Sequence, residues 1–168
     1  MVTAAGSVIG RGAPVYGDAI GIDNLPPVAA PTASSVRGQR TVACPSGGSI
    51  VVDEHIARNV ARLLAAAQAH GVSLCGSGYR TRAQQTVLYR KNCGTSLTPG
   101  KDDGAPTTVC SPPTAPPGRS LHEKGQAIDF ANCATRRTPC YRWLAGNAAH
   151  FGLKNLPSEP WHWSTTGR

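Results

Sequence analysis

Acidic residues are scarce: nine Asp and Glu stand against seventeen Lys and Arg in 168 residues, a formal net charge of +8. An excess of that size suits solubility, and it also suits attraction to an anionic surface such as a polymer of a bacterial wall. Aromatic residues are sparse too, at 5%, and few stand among the scattered Arg and Lys. That argues against nucleic acid, whose binding surfaces interleave basic groups with rings that stack on bases. No stretch approaches the roughly 20 apolar residues that a membrane-spanning helix needs. No internal repeat is visible, so a solenoid is excluded. The six cysteines include no Cys-x-x-Cys pair, which argues against a thiolate zinc site and against a thioredoxin-like redox motif.

What is present fits one folded domain. The length suffices to bury a real core, and 19 Gly with 14 Pro make it loop-rich. Cys44, Cys75, Cys93, Cys110, Cys133 and Cys140 form an even set, as expected of disulfides made in an oxidising compartment. Six cysteines allow fifteen pairings. The set in which each cysteine takes the nearest neighbour that closes a plausible loop is Cys44–Cys75, Cys93–Cys110 and Cys133–Cys140. The expected location is extracellular, or the wall or periplasmic side of a cell, and a monomer is expected. Met1–Gly21 shows neither a positively charged start nor a sustained apolar run, so the signal or anchor that export requires is not visible in this chain.

Composition divides the chain at Cys44. Residues 1–43 carry scattered Gly, Pro, Ala and Ser and read as a flexible or partly ordered linker, with local order around Val15–Leu25 and too little apolar surface to offset chain entropy. Residues 44–168 read as the compact domain. In it, Ile50-Val51-Val52 suits a short strand. Asp53 then caps a helix whose apolar residues Ile56, Val60, Leu63, Leu64 and Ala67 fall at helical spacing, and Gly71 stops it. Val72–Cys75 reads as a strand. Gly76-Ser77-Gly78 reads as a tight turn, and Thr81-Arg82-Ala83-Gln84 as a capping box that opens a second helix. A long Pro-rich segment follows, through Arg119, and a Cys93–Cys110 bridge at its base would make it an ordered rim. Thr138 and Pro139 start a third helix, with Cys140, Leu144, Ala148 and Phe151 on one face and Gly152 at its end. His55, His70 and His150 belong to helix surfaces or caps.

Two stretches carry chemistry only when taken together. In Ala127–Phe130, read as a strand, Ile128 and Phe130 share one face and Asp129 takes the other. In Trp161-His162-Trp163 the indoles share a face and His162 opposes them. With His122, this gives two imidazoles and one carboxylate. That is the ligand count of a catalytic zinc site, which keeps a position open for water. Only three acids lie beyond residue 110, namely Glu123, Asp129 and Glu159. Glu123 neighbours a ligand and should point away, which leaves Glu159 as the proton acceptor. Glu159 and His162 would face opposite ways in a regular strand, so a bend at Pro160 is required.

These motifs resemble a known family. Ser120-x-His122, Gly125-x-Ala127-x-Asp129 and Glu159-Pro160-Trp161-His162-Trp163 are similar to the signature of VanY-type D-alanyl-D-alanine carboxypeptidases, and Gly76-Ser77-Gly78-Tyr79-Arg80 with Gln84 and Gln85 gives a third matching block in order. The resemblance covers about Ile50 to Trp163. It implies an α+β fold, a small antiparallel sheet carrying the zinc site with about three helices packed against it. It also implies one Zn²⁺ on His122, Asp129 and His162, with Glu159 as general base and then acid. Arg80 would stabilise the oxyanion, and Ser120 and Gln85 would hold the carboxylate of a peptidoglycan stem peptide, with Tyr79 beside Arg80 or lining the cleft. The same superfamily contains endolysins that cut L-Ala–D-Glu bonds and the hedgehog domain. An endopeptidase and a non-catalytic wall-binding module are therefore the competing readings.

Overall fold

The computed structural model describes residues 28–93 and 110–168. It is an α+β arrangement of three α-helices and two antiparallel sheets. The first sheet holds β1 (Thr32–Ala33), β2 (Gln39–Ala43) and β3 (Ser49–Asp53) in the order β1-β2-β3. The second holds β4 (Gly76–Ser77), β5 (Ala127–Phe130), β6 (Lys154–Leu156) and β7 (Glu159–Ser164) in the order β4-β5-β7-β6.

Strands β1 and β2 lie before Cys44, within the stretch that reads as a flexible or partly ordered linker. Strand β2 pairs with β3 along five residues, from Gln39↔Asp53 to Ala43↔Ser49, and Val42 lies in the core. The Pro45-Ser46-Gly47-Gly48 stretch that joins them carries the turn chemistry of a hairpin, with Gly47 and Gly48 at positive φ. Averaging composition over 43 residues hid this five-residue strand. Residues 1–27 lie outside the described residues.

Helix α1 (Glu54–Ala69) starts at Asp53, whose carboxylate accepts from the His55 N–H, and ends at His70 before the left-handed Gly71. It buries Val60, Leu63, Leu64 and Ala67 against β2, β3 and a single turn of 3-10 helix at Ala148–Phe151. His55 is exposed. Helix α2 (Arg82–Cys93) opens with the expected reciprocal cap: the Thr81 N–H donates to Gln84 Oε1 at 2.8 Å and the Gln84 N–H to Thr81 Oγ1 at 3.2 Å. Helix α3 (Pro139–Asn147) is capped by Thr138 and places Cys140, Trp143 and Leu144 in the core, and the 3-10 turn that follows it adds Ala148 and Phe151.

Three disulfides join Cys44–Cys75, Cys93–Cys110 and Cys133–Cys140. One strand expectation needs correction. Val72 and Leu74 are buried as a strand would have them, but the segment 72–75 makes no ladder, and pairing starts only at Gly76. Strand β6 pairs with β7 at the edge of the second sheet. Among the described residues no helix is long and apolar enough to cross a membrane.

Candidate metal centre and catalytic cleft

The second sheet brings the two distant motifs together. Strands β5 and β7 pair so that Asp129 faces His162 directly and Ile128 faces Trp163. One cross-strand pair thus supplies two polar groups on one face, while Ile128, Phe130 and Trp163 are buried. His122 comes from a one-turn 3-10 helix, Leu121–Lys124, capped by the Ser120 hydroxyl and closed by the left-handed Gly125. The Asp53 N–H donates to the Gly125 carbonyl at 2.9 Å, which ties that turn to the end of β3.

Three ligand atoms converge. His162 Nδ1 lies 2.9 Å and His122 Nε2 3.2 Å from Asp129 Oδ1, and the two nitrogens are 3.3 Å apart. Atoms bound about 2.0–2.1 Å from a tetrahedral zinc would be separated by about 3.3 Å, so the triangle has the size of one face of that tetrahedron. The outer ring nitrogens fix which atoms point inward. His122 Nδ1 donates to the Gly78 carbonyl at 2.7 Å, and His162 Nε2 donates to the Arg168 carbonyl at 3.1 Å. Each neutral ring then turns a lone pair toward Asp129, and three acceptors facing one point call for a cation among them.

Electrostatics say the same. Burial would raise the Asp129 carboxyl, but hydrogen bonds and charge from His122 and His162 outweigh it and hold the group well below the usual carboxylate range. Burial would lower His162, but the Asp129 hydrogen bond and charge outweigh that and raise it. A divalent ion at this point would serve both groups.

The triad sits in a cleft of about 440 Å³ whose lining includes Arg80, Gln85, Ser120 and Glu159. Burial raises the Glu159 pKa above its ordinary value, with His162 opposing and Asp129 reinforcing the shift. Arg80 donates to Gln85 Oε1 at 2.8 Å and reaches Asp129 Oδ2 at 3.4 Å. Gln85 is almost fully buried, and its Nε2 donates to the Ala115 carbonyl at 2.7 Å. It therefore links the guanidinium to the cleft rim, where Pro112, Pro113, Thr114 and Ala115 lie. The rim is sewn to α2 a second time by Asn92, which donates to Thr114 Oγ1 at 2.8 Å. The remainder of that Pro-rich segment, residues 94–109, lies outside the described residues. Tyr79 does not line this cleft; it borders an adjoining depression with Ala83, Gln84, Val87 and Lys91.

Comparison with known proteins fits this geometry. A family model described as VanY, D-alanyl-D-alanine carboxypeptidase, matches residues 49–168. The chain belongs to the VanY family. A D-alanyl-D-alanine carboxypeptidase of Enterococcus faecalis (strain ATCC 700802 / V583) is 28% identical over 130 residues, covering 69% of this chain and 48% of that protein. The chain thus spans about half the length of that curated relative. Among solved structures, a mutant of the vancomycin-resistance D,D-pentapeptidase VanY in complex with Zn(II) is similar at TM-score 0.53 and 27% identity, over 74% of this chain and 76% of that one. VanYB in complex with D-alanine-D-alanine shares the fold at TM-score 0.55 and 24% identity, over 80% of each chain. The LD-carboxypeptidase LdcB is similar at TM-score 0.51 and 25% identity, over 68% of this chain and 58% of that one.

For a VanY-family site, sequence reasoning misses the supports. Gly76 and Gly78 read as turn residues, yet neither has positive φ. A side chain at Gly76 would strike the Asp129 carbonyl, and one at Gly78 the Val51 carbonyl. Both glycines allow backbone to press against backbone. Asn155 also went unmarked, although its amide contacts the main chain of both Glu159 and His162.

Proposed function

We propose that the protein is an exported zinc metallopeptidase that removes the terminal D-Ala from D-Ala-D-Ala stem peptides of peptidoglycan. The observation that carries this reading is the convergence of three lone pairs, at tetrahedral spacing, in a cleft shared with Glu159 and Arg80. His122, Asp129 and His162 would hold one Zn²⁺, which when bound supplies a Lewis acid that makes water a nucleophile near neutrality and polarises the scissile carbonyl.

The remaining steps belong to the chain. Glu159 takes the proton of the attacking water and hands it to the leaving amine; burial raises its pKa, which makes the carboxylate a better acceptor for that proton. Arg80, always charged, offers a planar fork of donors to the oxyanion. Ser120 Oγ accepts from the His122 N–H at 3.3 Å, which leaves its own hydrogen free to meet the carboxylate of the terminal D-Ala. Gln85 has a second amide hydrogen beside the one given to Ala115. Tyr79 is assigned no contact with the terminal residue, because it borders the adjoining depression. The disulfides suit an oxidising compartment, and the net charge of +8 suits approach to an anionic wall.

Mass analysis of a purified stem pentapeptide after incubation with the zinc-loaded protein tests the reading. Loss of one D-Ala is expected. Cleavage between L-Ala and D-Glu would transfer the same site to an endopeptidase, and an unchanged peptide would leave a wall-binding module.

A further inference from the structure

We infer that Asn155 is a positioning residue of this site, one that folds β7 so that Glu159 and His162 reach the same cleft. The inference rests on the proposed reading of those two residues. On β6 the register runs from Asn155↔Trp163 to Leu156↔Glu159. One step along β6 thus spans four along β7, and Pro160, Trp161 and His162 form a bulge in one strand of the pair. The bulge removes the alternation that would send Glu159 and His162 to opposite faces.

An insertion of this size strips carbonyls of their ladder partners, and side chains replace them. Asn155 Nδ2 donates to the Glu159 carbonyl at 2.9 Å and to the His162 carbonyl at 3.0 Å. The indole N–H of Trp163 donates to the Pro160 carbonyl at 3.0 Å. A primary amide has two hydrogens on one nitrogen, and here both are used, one on the proposed proton shuttle's main chain and one on that of a proposed metal ligand. Asp offers no donor at this place and would set a negative charge against two carbonyl oxygens. Asn155 is itself only half-buried, so its replacement does not hollow the core.

The experiment compares Asn155→Ala and Asn155→Asp with wild type. It measures zinc affinity against a chromophoric chelator, kcat and KM separately on the stem pentapeptide, and melting temperature in chelator. We expect zinc affinity and kcat each to fall about 10–100-fold, the usual consequence of losing a group that orients ligands. Asp should be the worse of the two, and KM should change little. Asn155→Ser, which keeps one donor, should fall between Ala and wild type, and it serves if either of the others fails to fold. Variants that melt earlier yet keep zinc affinity and kcat within about twofold of wild type would show a merely structural role and overturn the inference. A wild-type protein that holds zinc but releases no D-Ala would sink the carboxypeptidase reading alone, because the zinc measurement still judges Asn155.

Discussion

At the scale of single residues the site is a set of groups whose ordinary preferences conflict unless a cation is added. Asp129 is half-buried yet held ionised, and His162 is buried yet raised. Arg80 has another position: its fork spans Gln85 and Asp129, which leaves it charged at the edge of the cleft. Arg80→Ala should lower kcat about 10²–10³-fold, the usual loss for one oxyanion donor. Arg80→Lys should recover little of this, because a point charge cannot span two partners. Steady-state kinetics on the stem pentapeptide checks both, and an effect confined to KM would contradict the role. Much of this scale is legible from sequence. Alternation puts Asp129 opposite Ile128 and Phe130 and His162 opposite Trp163, though Trp161, within the bulge, lines the cleft together with His162; the count of acids beyond residue 110 leaves Glu159 as the candidate shuttle. Gln85 is less legible: the structure shows a buried strut between Arg80 and Ala115, which no spacing rule predicts because the partner is thirty residues away.

At the scale of elements, the two sheets meet through glycines. The Tyr79 N–H donates to the Val51 carbonyl, and the Gly78 carbonyl accepts from His122. The segment that crosses between sheets is therefore also the one that orients His122, a proposed ligand. Gly78→Ala should cost about 1–3 kcal/mol of stability through overpacking. It should also weaken zinc binding about 10–100-fold as the carbonyl leaves His122. Chelator competition and thermal melting measure the two; unchanged zinc affinity in a destabilised variant would contradict the link. Helices are the most legible elements because caps and spacing act locally: Asp53, Thr81 and Thr138 each begin the helix expected of them. Short strands are the least legible. Strands β2 and β6 have five and three residues; β2 offers Val42 as its one large apolar residue and β6 only Leu156, so neither shows an alternating pattern. The bend expected at Pro160 exists, but it is a three-residue excursion held by Asn155 and Trp163, not a kink at one proline.

At the scale of the whole molecule, protons and metal compete for the same groups, so stability, pH and zinc are linked. In the metal-free protein the raised His162 contributes stability that is complete below its ordinary value near 6.5 and is lost as pH rises through its raised value. Asp129, held low, contributes above its ordinary value near 3.8 and loses that contribution as pH falls through its lowered one. The pair therefore supports the chelated protein between those limits and fades on the alkaline side. Zinc takes the proton's place, and it binds the deprotonated imidazole. The rise in Tm on adding zinc should accordingly be larger at pH 8.5 than at pH 6, read by melting in chelator and in zinc; a shift independent of pH would contradict the linkage. The disulfides act on the same scale. Closing a loop such as Cys93–Cys110, separated by 17 residues, is worth about 3 kcal/mol on the chain-entropy account, and the bridge ties the end of α2 to the chain just ahead of the rim that Gln85 and Asn92 hold.

The central claim is a division of labour, with three side chains that grip one ion and a fourth that moves a proton beside it. Glu159→Ala tests it most directly when zinc content and D-Ala release are measured on the same preparation. The account predicts one equivalent of zinc, held as in wild type, and D-Ala release abolished. Wild-type turnover in that variant, or zinc lost together with the glutamate, would contradict it.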